Sequence, residues 1–163
     1  MSEEIAFDRR GTRDAIYREI IPQIAVLISG DEIADFANVA AVLKQVFGFF
    51  WVGFYRTTAP EMLTVGPYQG DLACLSIPFD KGVCGAAART GETFIVPDVD
   101  KFPDHIACSG KSRSEIVVPF VRDGQTLWVL DIDSDKLDDF SDIDRVHLEK
   151  IVEMVGDAKD ISH

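Results

Sequence analysis

A two-residue turn in the second half of the chain constrains the fold most strongly. Asp123 and Gly124 separate two apolar, β-branched runs, residues 114–122 and 125–133. An Asp-Gly pair between such runs favours a tight hairpin, because both residues tolerate the positive φ angles that the turn requires. The sequence therefore predicts two long antiparallel strands that lie side by side.

Aromatic and β-branched runs upstream predict further strands at residues 49–56, 62–65, 72–79 and 93–96. Short, turn-rich segments connect the first three of them. Consecutive strands with short connections favour an antiparallel sheet over a parallel one.

Both ends of the chain are predicted to be helical. Apolar residues recur at helical spacing over residues 13–27, where Pro22 predicts a kink or a break, and over residues 31–47, with Asp31 near the N-cap. A last helix is predicted to begin at residues 141–144, and a short one to begin at Gly82. The terminal helices must bury their apolar stripes, most simply on one face of the sheet, which leaves the other face to the segment rich in glycine, cysteine and acidic residues, where a pocket can form.

The expected fold is therefore α+β, in a single domain that spans residues 1–163, with residues 1–12 mobile. A net charge of −12 argues against nucleic acid as a partner, because phosphates would be repelled. No apolar run is long enough to cross a membrane, and the first ten residues do not resemble a signal peptide. We therefore expect a cytoplasmic protein that does not act at a membrane.

The three cysteines, Cys74, Cys84 and Cys108, all lie in the middle of the chain. Their intervals exclude a CxxC motif. No two cysteines have the two-to-four-residue spacing that is usual for the ligands of a zinc site, so no metal is expected, even with His105 nearby. Two interpretations remain open, buried structural cysteines and redox-active cysteines.

Two features favour redox activity. Cys84 opens a predicted helix, whose N-terminal dipole favours a thiolate. Cys108 lies in a polar loop near the cations Lys111 and Arg113, where a thiol is more reactive.

Three acidic residues are candidates for a binding site. Glu115 opens an apolar strand, and Asp131 and Asp133 alternate with an apolar residue, so both point to one face of their strand. A solvent-exposed polar face is the alternative, but Val129 on the same face is apolar. Such acids can bind an amine, or donate a proton if burial raises a pKa.

The aromatic side chains of Trp51, Tyr55 and Tyr68 are core residues by default. They lie close in sequence to a glycine-rich segment, so they can also form the wall of an apolar pocket that suits a thioether or a methyl group.

Seven motifs in this order resemble the free methionine-(R)-sulfoxide reductases, a family built on a GAF domain: WVGFY, GPYQG, CLSIPF, KGVCGAAA, VPDVDKFPDHIAC, SEIVVPF and VLDIDS. The resemblance covers about residues 27–148. It implies a central antiparallel sheet with helices on one face and an enclosed pocket on the other. It also implies an oxidoreductase that reduces free methionine sulfoxide of the R epimer, with no bound cofactor and with thioredoxin as the external reductant.

The resemblance also assigns roles to the cysteines. Cys108 would be the attacking thiolate, and Cys74 the resolving partner that forms a disulfide with it. Cys84 matches the third cysteine of the family, as a second resolver or in exchange with Cys108.

By the same resemblance, Glu115 would assist proton transfer, while Glu115, Asp131 and Asp133 would bind the substrate. The aromatic residues of the substrate site would be Trp51 together with Tyr55 and Tyr68.

The chain departs from the family pattern at three positions. Ser109 and Arg113 replace an Asp and an Asn in the catalytic loop, and Trp128 replaces a glycine in a strand, where an inward side chain would reshape the pocket. The alternative function is a non-catalytic GAF module that senses a small molecule or a redox signal. The sequence leaves the oligomeric state open, with a homodimer as one option.

Overall fold

A computed structural model describes residues 4–161 of the chain, with side chains up to residue 158. Its described helices and strands follow one another in the predicted order. They are α1 (Arg13–Leu27), α2 (Glu32–Phe47), β1 (Trp51–Ala59), β2 (Met62–Gln69), β3 (Ser76–Pro78), α3 (Gly82–Thr90), β4 (Phe94–Val96), a 3-10 turn (Val99–Lys101), β5 (Ser114–Arg122), β6 (Gln125–Ser134) and α4 (Asp142–Ile161).

The six strands form one antiparallel sheet in the order β3-β2-β1-β6-β5-β4. The predicted Asp-Gly hairpin joins β5 and β6, and Asp123 has the expected positive φ of 53°. The register places Trp51 and Glu115 on either side of Asp133, while Asp131 lies opposite Gly53. Residues that are far apart in sequence therefore meet at one end of the central strands.

The sheet separates two apolar layers. On one face, α1, α2 and α4 bury aromatic and aliphatic side chains, among them Tyr17, Phe36 and Leu148, against the sheet. On the other face, α3 covers a smaller cluster that includes Tyr55 and Cys84. This arrangement confirms the predicted α+β fold, with helices packed on one face and room for a pocket on the other.

The first helix continues through Pro22, where a kink or a break was expected. Pro22 lies on the exposed side of α1, so the carbonyl group of Arg18, which loses its usual donor, can bind water instead. The predicted strand at residues 72–79 is also shorter than expected, because only Ser76–Pro78 pairs with β2, whereas β2 itself extends to Gln69.

The segment before α1 is held against that helix, although mobility was expected for residues 1–12. Ala6 exchanges two backbone hydrogen bonds with the Gln23 side chain, at 2.9 and 2.7 Å, and the Asp8 amide donates to Glu19 at 2.9 Å. Residues 1–3 lie outside the described part of the chain. None of the described helices is both long and apolar enough to cross a membrane.

Candidate active site

A cavity of about 50 Å³ lies on the α3 face, at the end of the sheet where the central strands place their acidic side chains. Two loops close it from outside, residues 71–75 and residues 105–112. Its described walls comprise Phe50, Trp51, Tyr55, Ile77, Val83, Cys84, His105, Ile106, Cys108, Ser109, Ser112, Glu115, Asp131 and Asp133, among others. The cavity thus combines thiol, carboxyl, imidazole and aromatic groups.

Two of the three cysteines are joined across the mouth of this cavity. Cys74 and Cys108 form a disulfide, with 5.4 Å between their Cα atoms, and this bond connects the two closing loops. The Cys108 residue is exposed and Cys74 is half-buried. A disulfide at this position is accessible to solvent on one side and adjoins the cavity on the other.

Three further contacts fix the loop that carries Cys74. The Tyr55 hydroxyl donates to the Cys74 carbonyl at 3.1 Å, and the Trp51 indole N–H donates to the Asp71 carbonyl at 3.0 Å. An ion pair of 3.7 Å joins the Asp71 carboxylate to Lys111 on the other loop. The two loops are therefore connected by one covalent bond and one exposed ion pair.

The three predicted acids meet at the floor of the cavity. Glu115 and Asp131 are buried, with 6% and 5% exposure, and Asp133 accepts a hydrogen bond from the Ser112 hydroxyl at 3.3 Å. One carboxylate oxygen of Asp131, Oδ1, is buried without a hydrogen-bond partner. Such an oxygen is costly in an empty site and is suited to a ligand that donates a hydrogen bond.

Burial governs the ionisation of these acids. Removal from water raises the pKa of Glu115 and that of Asp133 well above their usual range, and the negative charge of Asp131 raises both further. Burial also raises the pKa of Asp131. The cluster therefore holds at least one proton under conditions in which exposed carboxyl groups are ionised, and this proton is available for transfer.

The third cysteine, Cys84, does not have the ionisation state that the sequence predicted. Cys84 is the third residue of α3, where the helix dipole was expected to favour a thiolate. Burial instead raises the pKa of the Cys84 thiol well above its usual range, and the nearby Asp131 carboxylate raises it further. The dipole is outweighed, and Cys84 is a free, buried, neutral thiol.

The same thiol lies against the acids. Ligand atoms of Cys84, Glu115 and Asp131 are all within 4.8 Å of one another. This spacing brings one sulfur and two carboxyl groups into a single cluster, and it is the spacing at which such groups can ligate a cation.

Aromatic rings form the side wall of the cavity. The Trp51 ring stacks on Tyr68 at a centroid distance of 5.1 Å and lies 5.9 Å from the Tyr55 ring. Gly53 allows this packing, since a Cβ atom there would lie 2.5 Å from the Trp51 ring and 2.4 Å from Cβ of Tyr68. Trp51 and Tyr55 line the cavity, whereas Tyr68 supports Trp51 from behind. The pKa of the Tyr55 hydroxyl is also raised, and burial is the largest cause.

With this geometry in view, three comparisons with known proteins are informative. Residues 31–158 match the model of the GAF domain family. GAF domain-containing protein A of Dictyostelium discoideum is 45% identical over 95% of this chain and 99% of its own length. A protein of Escherichia coli K12 named free methionine-R-sulfoxide reductase is 37% identical over 83% of this chain and 84% of its own length.

The chain belongs to the family of free methionine-R-sulfoxide reductases, built on a GAF domain. A solved structure of free methionine-R-sulfoxide reductase from Neisseria meningitidis, in complex with its substrate, superposes with a TM-score of 0.94 and is 44% identical. The match covers 99% of this chain and 98% of that one. The resemblance read from the sequence motifs is thereby confirmed, and so is the GAF fold.

Two of the departures from the reductase pattern lie away from the cavity. The Trp128 side chain packs between Phe36 and Phe120 in the helix-side core, so it does not reshape the pocket. Arg113 is not among the residues that line the cavity, and its guanidinium lies 3.9 Å from the Asp100 carboxylate. Ser109 does line the cavity, and its hydroxyl accepts from the Lys111 amide at 3.3 Å.

Sequence reasoning missed several residues of this reductase site. Ser112, which binds Asp133, stands in a polar loop without a distinctive pattern. Phe50 and Ile77 are apolar residues of predicted strands, which the sequence alone assigns to a core. One signal could have identified Ser112: this residue lies three residues before Glu115, in the loop that carries Cys108.

Proposed function

We propose that this protein reduces free L-methionine-(R)-sulfoxide to methionine by cysteine chemistry. The observation that carries the proposal is the Cys74–Cys108 disulfide at the mouth of a cavity whose floor holds buried acids. Membership of the reductase family and the likeness to a substrate-bound relative support the same reaction.

In this proposal the reduced enzyme begins with a Cys108 thiolate that attacks the sulfoxide sulfur. Glu115, kept protonated by burial, donates its proton to the sulfoxide oxygen, because that oxygen cannot leave as a bare anion. The oxygen is transferred to Cys108, which becomes a sulfenic acid, and methionine leaves as the thioether.

The Cys74 thiol then condenses with the sulfenic acid. A sulfur–sulfur bond forms, the oxygen leaves as water, and the product is the Cys74–Cys108 disulfide. An external dithiol must return two electrons and two protons, and we propose thioredoxin for this step. The proposal assigns Cys84 a supporting role, as the neutral thiol against which Asp131 and Glu115 are packed.

The proposed substrate contacts follow from charge and polarity. Asp131 and Asp133 would bind the ammonium group, whose positive charge offsets the repulsion between the buried acids. Trp51 and Tyr55 would surround the S-methyl group, with Tyr68 holding Trp51 in place. The small cavity closed by two loops supports selection of the free amino acid over methionine within a peptide.

Three further features belong to this proposal. Residues 1–163 would act as one GAF domain without a bound cofactor. The cytoplasm is the proposed location, because a thioredoxin system keeps thiols reduced there. A homodimer is the proposed assembly, and analytical ultracentrifugation of the purified protein would test it.

Coupled turnover with thioredoxin, thioredoxin reductase and NADPH tests the function. Separate reactions would contain free L-methionine-(R)-sulfoxide, the (S) epimer and a blocked, peptide-like sulfoxide. We expect NADPH consumption with the free (R) compound alone, and its loss in Cys108→Ser. A folded, reduced enzyme that turns over none of the three would instead support the sensor alternative.

A further inference from the structure

The loop that carries Cys74 exposes two leucine side chains. Leu72 is 86% exposed and Leu75 is 71% exposed, so Cys74 lies between two apolar groups that face solvent. Within the described side chains, the other exposed large apolar residues do not line this cavity; they are Val26, Ile33, Leu127, Leu137, Ile143 and Val146. Exposed apolar groups beside a reactive centre are typical of a surface that another protein covers.

These leucines are presented on a fixed segment of backbone. The Leu75 carbonyl accepts a hydrogen bond from the Val65 amide at 3.0 Å, and the Cys74 carbonyl accepts from the Tyr55 hydroxyl at 3.1 Å. The disulfide to Cys108 adds a covalent tie. The apolar side chains are therefore held beside the sulfur–sulfur bond, and a partner would not need to order the loop on binding.

The chemistry of the disulfide specifies the partner. A thiolate of the reductant attacks one sulfur, the other sulfur leaves as a thiolate, and a second thiol of the reductant then releases the enzyme from the mixed disulfide. The reductant is oxidised to a disulfide, and both enzyme cysteines return to the thiol state. Only a dithiol that approaches the exposed side of Cys74–Cys108 can complete this exchange, and the leucines adjoin that approach.

We propose that Leu72 and Leu75 form the docking surface for a small dithiol protein of the thioredoxin class. This proposal rests on the proposed function, because it assigns the surface through which the oxidised reductase is recycled. Burial of exposed leucine side chains against a partner protein removes apolar surface from water and so increases affinity for that protein, whereas a small dithiol such as dithiothreitol needs no such surface.

The test compares the reductants on the same variants. Stopped-flow measurement of the reduction of the Cys74–Cys108 disulfide, without any sulfoxide present, gives the rate constants for thioredoxin and for dithiothreitol. We expect Leu75→Ser to lower the thioredoxin rate constant by about tenfold and to leave the dithiothreitol rate unchanged. Leu75→Met keeps the apolar surface and should behave as the wild type, as should Val26→Ser, which changes an exposed residue of α1.

Leu72 also borders the cavity, so its substitution can affect both reductants. Leu72→Ser is therefore judged only by the ratio of the thioredoxin rate constant to the dithiothreitol rate constant. This ratio should fall as it does for Leu75→Ser. An unchanged ratio in both serine variants would overturn the docking surface. A dimer that dissociates in Leu75→Ser, with an unchanged ratio, would assign the leucines to contacts between copies and would also overturn it. Because no sulfoxide is used, a protein that lacks reductase activity does not affect this result.

Discussion

At the scale of single residues, the buried acids are the most unusual feature of the cavity. Glu115, Asp131 and Asp133 come from two adjacent strands, and each is removed from water to a degree that raises its pKa. Placing acids so close together costs folding free energy whenever they ionise. In the proposed reaction, this arrangement supplies a proton donor for the leaving oxygen.

Glu115 should therefore make the stability of the protein depend on pH. Below about pH 4.5, its ordinary pKa, the carboxyl group is protonated in both folded and unfolded chains. As pH rises above that value, the unfolded chain releases its proton while the folded protein retains it, so the free energy of unfolding falls. Thermal unfolding between pH 5 and 9 should show a smaller decline in Glu115→Gln than in the wild type.

Glu92→Gln, at an exposed position, is the control and should retain the slope of the wild type. Equal slopes of stability against pH in all three proteins would contradict the assignment of a raised pKa to Glu115.

Glu115→Gln should also lower kcat on the free (R) sulfoxide by about a hundredfold or more, because the amide cannot donate an acidic proton.

Cys84 and Cys74 should respond differently to substitution. The Cys84 thiol is buried and neutral, and Cys74 already bonds to Cys108, so Cys84→Ser should still form one intramolecular disulfide during turnover. Cys74→Ser should not form that bond. Mass spectrometry of alkylated tryptic peptides distinguishes the two cases, and a Cys84–Cys108 disulfide in the wild type would contradict the supporting role of Cys84.

The sequence was sufficient to name most of these residues but not their states. Alternation predicted that Asp131 and Asp133 share a face, and the motifs predicted the pairing of Cys74 with Cys108. The ionisation of Cys84 was predicted wrongly, because the helix dipole is a local effect whereas burial and the nearby Asp131 carboxylate arise from the tertiary fold. No local sequence pattern encodes how deeply a thiol is buried or how close a carboxylate lies to it in the folded protein.

At the scale of elements, α3 forms one wall of the cavity through Val83 and Cys84. At Gly85 this helix comes close to the end of β3, where a Cβ atom would lie 2.7 Å from the Pro78 carbonyl oxygen and 2.8 Å from that of Phe79. The obstacle is backbone, which cannot move aside as a flexible side chain can. A glycine is therefore required for α3 to approach the segment that follows β3.

Gly85→Ala should displace α3 from the sheet. We expect a loss of about 1–3 kcal/mol of stability from overpacking, together with a rise in KM, because Cys84 and the adjoining wall move. Gly110→Ala is the control, since a Cβ atom there meets nothing within 4 Å. Chemical denaturation and steady-state kinetics measure both effects, and a Gly85→Ala protein with wild-type stability would contradict this packing.

Elements with strong local signals were predicted well, and those set by tertiary contacts were not. Asp31 accepts from the Ala34 amide and begins α2, and the Asp-Gly turn joins β5 to β6, as the sequence predicts. The run at residues 72–79 is apolar enough for a long strand, yet only Ser76–Pro78 pairs with β2. Cys74 lies in a loop, where it bonds to Cys108. The apolar residues Leu72 and Leu75 remain exposed in this loop.

At the scale of the whole molecule, the disulfide links oxidation state to stability. It joins residues 34 positions apart and so restricts the unfolded chain. By the loop-entropy estimate, the oxidised protein should be about 3–4 kcal/mol more stable than the reduced one. Denaturation of both forms measures this difference, which Cys74→Ser should abolish; equal stabilities in the wild type would contradict it.

In the proposed reaction, Cys108 removes oxygen from free methionine sulfoxide and passes the oxidation to Cys74. A single-turnover experiment tests this step: fully reduced protein, freed of reductant, is mixed with excess free L-methionine-(R)-sulfoxide. We expect one equivalent of methionine per chain, with one equivalent of Cys74–Cys108 disulfide formed at the same time. Disulfide without methionine, or neither product, would contradict it.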